Sequence, residues 1–201
     1  SLSEMIRRDK IHGISCTAAN LEEDLFNLVA HKEYKKIPNY RCLTPEDELK
    51  LKEAGLNRIT DTCIPEEQAI RRLSQKLYSL WEKADKDGKK YLPYEYFFQL
   101  IKSGELEEFY EIDPKNSWVV AACKKNIPIL TPGWEDSTLA NGVVAEFRQG
   151  RFKRLDFIKN GLEQMDFFID WYLESTKDKS MGFFQIGGGI AGDFSICVVP
   201  L

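Results

Sequence analysis

The stretch Met181-Gly-Phe-Phe-Gln-Ile-Gly-Gly-Gly-Ile-Ala-Gly-Asp193 decides the fold that the sequence predicts. Its largely apolar residues 183–186 are typical of a buried parallel strand, and three glycines follow at once. Gly187, Gly189 and Gly192 fit the spacing G-x-G-x-x-G, in which glycine allows a tight turn and lets backbone N–H groups approach a pyrophosphate. The acidic residue that completes this motif lies about 20 positions further on, past the given sequence. A glycine-rich turn without a ligand is therefore the alternative interpretation.

Two further strands are predicted N-terminal to this stretch, each followed by a loop of small or polar residues. Lys10 to Cys16 leads into Thr17-Ala-Ala-Asn20, and Ile127 to Leu130 leads into a loop that ends at Asn141. Because strands alternate with helices and three strands end in loops rich in Gly, Ala or Ser, the sequence predicts an α/β fold. We expect a Rossmann-like, doubly wound, mostly parallel sheet with helices on both faces. Ligands bind such sheets at the carboxyl ends of the strands.

The remaining apolar spacing is mostly helical. The opening residues are typical of the last turns of a helix, and further helices are predicted over residues 21–30, 45–54, 65–85, 94–101, 117–126 and 155–172. Residues 57–65 are predicted to form an extended link. Residues 85–90 resemble a calcium loop, but the glycine is at the fourth position instead of the sixth, so we predict a plain turn.

Composition narrows the class of protein. The 201 residues are 43% hydrophobic, which is enough for one core, and we predict a single domain over residues 1–201 that is truncated at both ends. A net charge of −4 with interspersed acids and bases gives no reason to expect a nucleic acid or a membrane as partner. No apolar run approaches the length of a membrane span, so we expect a soluble, cytoplasmic protein. We predict no metal site, because the five cysteines are widely spaced along the chain: Cys16, Cys42, Cys63, Cys123 and Cys197.

Three adjacent acids, Glu22, Glu23 and Asp24, have two interpretations. They suit the positive end of the dipole of the helix that begins near Thr17, which would be a purely structural role. Alternatively, the small-residue turn before them lies where an open α/β sheet binds its ligand, and small side chains there would admit a cofactor.

Three segments together resemble the deoxyhypusine synthase family. They are Thr17-Ala-Ala-Asn-Leu-Glu-Glu-Asp24, Pro132-Gly-Trp-Glu-Asp-Ser-Thr-Leu-Ala-Asn141 and Ile186-Gly-Gly-Gly-Ile-Ala-Gly-Asp193, in the family's order. Residues 55–65 and 117–128 are similar to the same family, so the resemblance covers most of the chain. The sequences of the second and third segments are similar to those of the bacterial deoxyhypusine synthase-like branch.

The resemblance implies a chemistry and a set of partners. The family binds NAD in a homotetramer and transfers an aminobutyl group from the polyamine spermidine to a lysine of a hypusine-acceptor translation factor. NAD accepts hydride from the carbon beside an amine, a lysine captures the imine, and the hydride returns at the end. Hydride leaves readily only beside a neutral amine, whereas the distal ammonium groups need carboxylates to bind them.

The family's site residues are carried over onto matching positions. The resemblance implies cofactor binding by Thr17, Ala18, Ala19, Glu23, Asp136, Gly187, Gly188 and Gly189. It implies substrate binding by Glu22, Glu23, Asn141 and Asp193. The family's catalytic lysine belongs to a Trp-Gly-Lys segment expected beyond residue 201, so no catalytic residue is assigned here.

Two positions depart from the spermidine-utilising enzymes. Asn141 replaces an aspartate, and Asp193 replaces a histidine, so one negative charge is lost and another is gained. These changes favour a different amine, and homospermidine formation from putrescine is the first alternative function. A non-catalytic NAD-binding homologue is the second. For Asp193 a helix N-cap after Gly192 is the structural alternative.

Overall fold

The structure, a computed structural model, describes residues 1–199. Nine α-helices lie in this range: α1 (Leu2–Arg7), α2 (Ala18–Ala30), α3 (Pro45–Glu53), α4 (Arg72–Asp87), α5 (Pro93–Ser103), α6 (Trp118–Lys125), α7 (Thr138–Arg148), α8 (Gly161–Ser175) and α9 (Ile190–Val198). The strands are β1 (Ile14–Ser15), β2 (Lys35–Lys36), β3 (Leu56–Ile59), β4 (Thr62–Pro65) and β5 (Ile129–Leu130). A π-helix, Glu66–Arg71, runs directly into α4. The molecule is therefore mixed α/β, as predicted, with helix predominating.

Two of the predicted parallel strands pair with each other. Ile14 lies opposite Ile129, and Ser15 lies opposite Leu130. The N–H of Cys16 then donates to the carbonyl of Leu130 at 3.0 Å. Both strands of this pair end at the same edge, where α2 follows β1 and the loop to α7 follows β5.

The predicted strand at residues 183–186 is wrong. These residues form no strand, and Phe184 and Ile186 are 81% and 87% exposed. A third parallel strand would need an open edge beside β1 or β5. Directly after β5, the N–H of Thr131 donates to the Gln164 side-chain oxygen at 2.9 Å, and the Thr131 carbonyl accepts from the Gln164 amide nitrogen at 3.2 Å, so these two groups cannot pair with a further strand. Residues 1–199 therefore contain one pair of parallel strands and not the predicted doubly wound sheet.

A separate antiparallel sheet lies where an extended link was predicted. Strands β2, β4 and β3 pair in that order, and Arg58 of β3 lies opposite Cys63 of β4. The turn between β3 and β4 contains Thr60 at φ 52°, a conformation usual for Gly or Asn in hairpins. The hairpin was not predicted because its turn contains Thr60, and threonine is not a residue that indicates such a turn.

The seven predicted helices correspond to α1 to α6 and α8, whereas α7 and α9 were not predicted. The start predicted for α4 is occupied by the π-helix Glu66–Arg71. The predicted helix over 155–172 begins at Gly161 instead, because Asn160 and Glu163 form a capping box in which Asn160 Oδ1 accepts from the Leu162 and Glu163 N–H groups. The residues predicted as a plain turn contain Gly88, which ends α4 at φ 65° and so fills the left-handed position that favours glycine.

The core lies between α2, α4, α5 and α6. Trp81 and Tyr96 are fully buried, with their ring centroids 6.1 Å apart in an edge-to-face arrangement. The Tyr96 hydroxyl donates to the Phe157 carbonyl at 2.7 Å, so its polar end is also satisfied. A smaller cluster forms around Leu130, Phe168 and Phe194 and joins α8 to α9. In the part of the chain that the structure describes, no helix has the length and apolar character needed to cross a membrane.

Candidate functional site

The first predicted segment forms the turn from β1 into α2. Thr17 is the N-cap of α2, and its hydroxyl accepts a hydrogen bond from the Asn20 N–H at 3.2 Å. Ala18 is buried and Ala19 is half-buried behind it. Small side chains at this helix N-terminus keep the backbone close to the strand edge.

The second segment forms the loop between β5 and α7. Gly133 has φ 68°, and its carbonyl accepts from the Asp136 N–H at 2.9 Å, which closes a tight turn. Asp136 is exposed at the end of this turn. Ser137 caps α7 through its hydroxyl, which accepts from the Ala140 N–H at 3.1 Å. Asn141 lies in the first turn of α7, and its amide donates to the Ser137 carbonyl at 2.7 Å.

Glu22 joins the first segment to the second. Its carboxylate accepts hydrogen bonds from the N–H groups of Thr138 and Leu139, both at 3.0 Å. The side chain is buried, and this burial raises its pKa, although the two N–H groups oppose the shift.

Asp24 makes an equivalent connection to a different helix. It accepts from the hydroxyl of Ser117 and from the N–H groups of Trp118 and Val119, the latter at 3.3 and 3.2 Å. The dipole interpretation of the three acids is therefore wrong. The first turn of α2 contains no acid, and Glu22 and Asp24 instead satisfy the N-termini of α7 and α6.

Glu23 makes none of these contacts and is half-buried. Burial raises its pKa, and its charge in turn adds to the burial that raises the pKa of Tyr34. The Tyr34 hydroxyl is buried with no hydrogen-bond partner among the described residues. Glu23 is thus the acid of this cluster whose carboxylate is not committed to a helix N-terminus.

The third segment forms an open glycine turn before α9. Gly187 and Gly189 have φ of 85° and 79°, and added Cβ atoms at Gly187, Gly188 and Gly189 would meet nothing within 4 Å. The N-cap of α9 is Gly189, so the N-cap alternative for Asp193 is wrong. Asp193 lies exposed in the first turn of the helix.

The three segments meet at one edge of the parallel pair. The Ser15 hydroxyl, just before the first segment, donates to the Ala191 carbonyl of the third at 2.6 Å. A Cβ on Gly133 of the second segment would lie only 3.1 Å from Cδ1 of Ile190. Pro132, Gly133, Ile190 and Asp193 line one open, largely apolar depression of about 700 Å³.

Two polar contacts at this edge were not predicted. Gln164 of α8 is 1% exposed and pairs with the Thr131 backbone. Ser15 fixes α9 through the bond to Ala191. A polar residue on a buried helical face was the available signal for Gln164, whereas nothing in the spacing indicated a partner for Ser15.

The residues present fit a dinucleotide. The glycine turn has free space beside Gly187, Gly188 and Gly189, although the Gln185 side chain donates to the Gly187 carbonyl at 3.0 Å, and a nine-residue helix begins directly after the turn. Free N–H groups at a helix N-terminus and the helix dipole favour a phosphate there. The exposed carboxylate of Asp136 lies at the same edge, where it can accept hydrogen bonds from hydroxyl or amide groups.

Comparison with known proteins identifies a family that spans all three segments. The family model described as deoxyhypusine synthase matches residues 1–200. The chain belongs to the deoxyhypusine synthase family. This match covers the turn at Thr17, the loop at Asp136 and the glycine turn together.

Relatives within the family are distant. A probable deoxyhypusine synthase of Picrophilus torridus is 22% identical over 97% of this chain and 56% of its own length. A deoxyhypusine synthase-like protein of Chlorobaculum parvum is 26% identical over 98% of the chain and 51% of its own length. A probable deoxyhypusine synthase 2 of Methanosarcina acetivorans is 27% identical over 96% and 50%. The chain spans about half the length of the curated relatives it matches.

Proposed function

We propose that the complete protein is an NAD-dependent aminobutyl transferase of the deoxyhypusine synthase type, acting on spermidine or a similar polyamine. The observation that carries this proposal is the meeting of the three family segments at the carboxyl edge of the parallel pair. A cofactor site needs backbone donors and small side chains, and an amine site needs carboxylates. Both sets of groups are present at this edge.

In this proposal the cofactor lies over the glycine turn. The N–H groups of Gly187, Gly188 and Gly189 and the N-terminus of α9 bind the pyrophosphate. The turn at Thr17, Ala18 and Ala19 lines the cofactor, and Asp136 accepts hydrogen bonds from it. Bound NAD supplies a hydride acceptor that later returns the hydride.

Acidic and amide groups bind the polyamine. Glu23 accepts hydrogen bonds from an ammonium group, and its raised pKa reflects a desolvated setting in which a charge pair is strong. Asn141 and Asp193 bind the other end of the amine. The carboxylate of Glu22, which the family resemblance assigns to the substrate, instead binds the N-terminus of α7 and supports the loop that carries Asp136.

The proposed partners follow from the same resemblance. We propose a cytoplasmic homotetramer whose acceptor is the lysine of a translation factor. The curated relatives are named as synthases or as synthase-like proteins, which supports the reaction class and leaves the acceptor to experiment.

Mass spectrometry of the products tests the function. The complete protein is incubated with NAD and spermidine or putrescine, with and without an acceptor protein. We expect an aminobutyl-modified lysine on the acceptor when spermidine is supplied. If homospermidine forms from putrescine alone, the protein is an enzyme that acts on small molecules instead. If NAD binds and no product forms, the protein is a non-catalytic homologue.

The cofactor assignment is tested by a neighbouring pair of acids. Asp136→Ala is expected to weaken NAD binding in a fluorescence titration by about tenfold, the effect of losing one charge-assisted hydrogen bond. Glu135→Ala is the matched control, because Glu135 is also exposed and lies one position earlier. Equal affinities of the two variants would remove Asp136 from the cofactor site.

Homospermidine formation is the second candidate function, favoured by Asn141 and Asp193. Asn141→Asp together with Asp193→His restores the charges of the spermidine-utilising enzymes. If Asn141 and Asp193 select the amine, the double variant will form more product from spermidine, relative to product from putrescine, than the wild-type protein does.

A further inference from the structure

Glu22 is buried at the junction of two segments of the candidate site. Its side chain is 2% exposed. Its two carboxylate oxygens accept from successive N–H groups of α7, those of Thr138 and Leu139, each at 3.0 Å. A carboxylate on a helix N-terminus combines charge-assisted hydrogen bonds with the helix dipole.

These bonds complete the N-terminus of α7. The first N–H groups of a helix have no partner within the helix. In α7, Glu22 satisfies those of Thr138 and Leu139, and the Ser137 hydroxyl satisfies that of Ala140. The loop that presents Asp136 enters α7 at this point. Its position relative to α2 is therefore set by a side chain of α2.

Asp24 provides a comparison within the same helix. It also binds a helix N-terminus, with bonds to Ser117, Trp118 and Val119. Helix α6 carries none of the proposed site residues, whereas Asn141 lies in α7 and Asp136 just before it. Both carboxylates therefore bind a helix N-terminus, but only Glu22 binds a helix that carries a proposed site residue.

We infer that Glu22 is a positioning residue, which holds the Asp136 loop and Asn141 in place for cofactor and amine without touching either ligand. This inference rests on the proposed function for its effect on binding. It departs from the family resemblance, which makes Glu22 a substrate ligand. The geometric reason is that both carboxylate oxygens are occupied by backbone donors in a buried setting.

Glu22→Gln and Asp24→Asn in the complete protein test the inference. Each amide keeps the shape but places an NH₂ group against a backbone N–H. Both variants are expected to unfold at lower urea concentration. Only Glu22→Gln is expected to raise the NAD dissociation constant, by roughly tenfold, and to speed hydrogen exchange across residues 136–141.

Ser137→Ala gives a second variant in case Glu22→Gln does not fold. It removes the bond to the Ala140 N–H and leaves Glu22 in place. Weaker NAD binding with faster exchange in the same six residues supports the inference. Unchanged NAD binding and exchange in both α7 variants would overturn it.

Two further outcomes separate the explanations. If Glu22→Gln raises only the KM for the amine, with exchange at Thr138 and Leu139 unchanged, then Glu22 contacts the amine and the inference is wrong. If the wild-type protein binds no NAD, the proposed function fails. Hydrogen exchange across residues 136–141 then decides whether Glu22 holds the loop. Equal exchange rates in Glu22→Gln and Asp24→Asn would overturn the inference.

Discussion

Trp81 and Phe184 are both large aromatic residues, but Trp81 is fully buried and Phe184 is 81% exposed. Trp81 belongs to the core between α2, α4, α5 and α6, called here the helical body. Phe184 belongs to the C-terminal segment, residues 181–199, which contains the glycine turn and α9. The segment with the most distinctive sequence is therefore the one with the fewest internal contacts for its apolar side chains.

The largest effect is expected in the helical body. Trp81→Ala removes a side chain that packs against Tyr78 and Tyr96, and we expect it to lower the free energy of unfolding by about 3–5 kcal/mol. Urea denaturation followed by circular dichroism measures this change. A loss below about 1 kcal/mol would show that the helical body is not the main source of stability.

Glycine substitutions test the C-terminal segment itself. Gly189 has φ 79° and ψ −164°, a region open almost only to glycine, so Gly189→Ala is expected to destabilise α9 by about 1–3 kcal/mol. Gly188→Ala is the matched control, since its Cβ would meet nothing within 4 Å. Hydrogen exchange of residues 190–198 measures the difference. Equal exchange in both variants would mean that the turn is not held in this conformation.

A smaller, pH-dependent effect distinguishes buried from exposed acids. The pKa of Glu22 is raised above 4.5 in the folded state, chiefly by burial. Between 4.5 and the folded-state pKa the folded protein therefore binds more protons than the unfolded chain, and its stability falls as pH rises through that window. The stability difference between wild type and Glu22→Gln is therefore expected to decrease as pH rises above 4.5. Urea midpoints measured between pH 4 and 7 test this sign.

Asp47 is the control for the pH experiment. Bonds from Thr44 lower its pKa below 3.8, so its contribution to stability is present above 3.8 and is lost as pH falls through the folded-state value. The difference between wild type and Asp47→Asn should stay constant from pH 4.5 to 7. A parallel trend for both variants would rule out burial as the cause.

The smallest effect is expected at the exposed aromatic residue. Phe184→Ser removes no internal contact that would stabilise the chain, so we expect a change within about 0.5 kcal/mol. The same urea titration used for Trp81→Ala measures it. A loss above about 1 kcal/mol would show that Phe184 is buried in solution and would remove the contrast between the two regions.

Helices and capping residues were predictable because their signals are local. The capping residues near Thr17 and the apolar spacing of α4 predicted both helices, although α2 begins at Ala18 instead of residue 21 and α4 begins at Arg72 instead of residue 65. The family segments indicated which loops belong together. The strand at residues 183–186 was not predictable in the same way, because a strand requires a neighbour that the spacing does not specify. Glu22 likewise gave no signal of its contact with α7, since 116 residues separate it from Thr138.

The pairing of Gln164 with Thr131 has a consequence for association between chains. In a strand, alternate residues direct their N–H and carbonyl groups to opposite sides, so Thr131 faces away from β1, to which the Leu130 carbonyl is bonded. That outward position would otherwise offer a template on which a foreign strand could grow. One amide side chain from α8 closes it with the same two hydrogen bonds that a strand would make. The outward N–H and carbonyl of Thr131 are thereby unavailable to a strand of another chain.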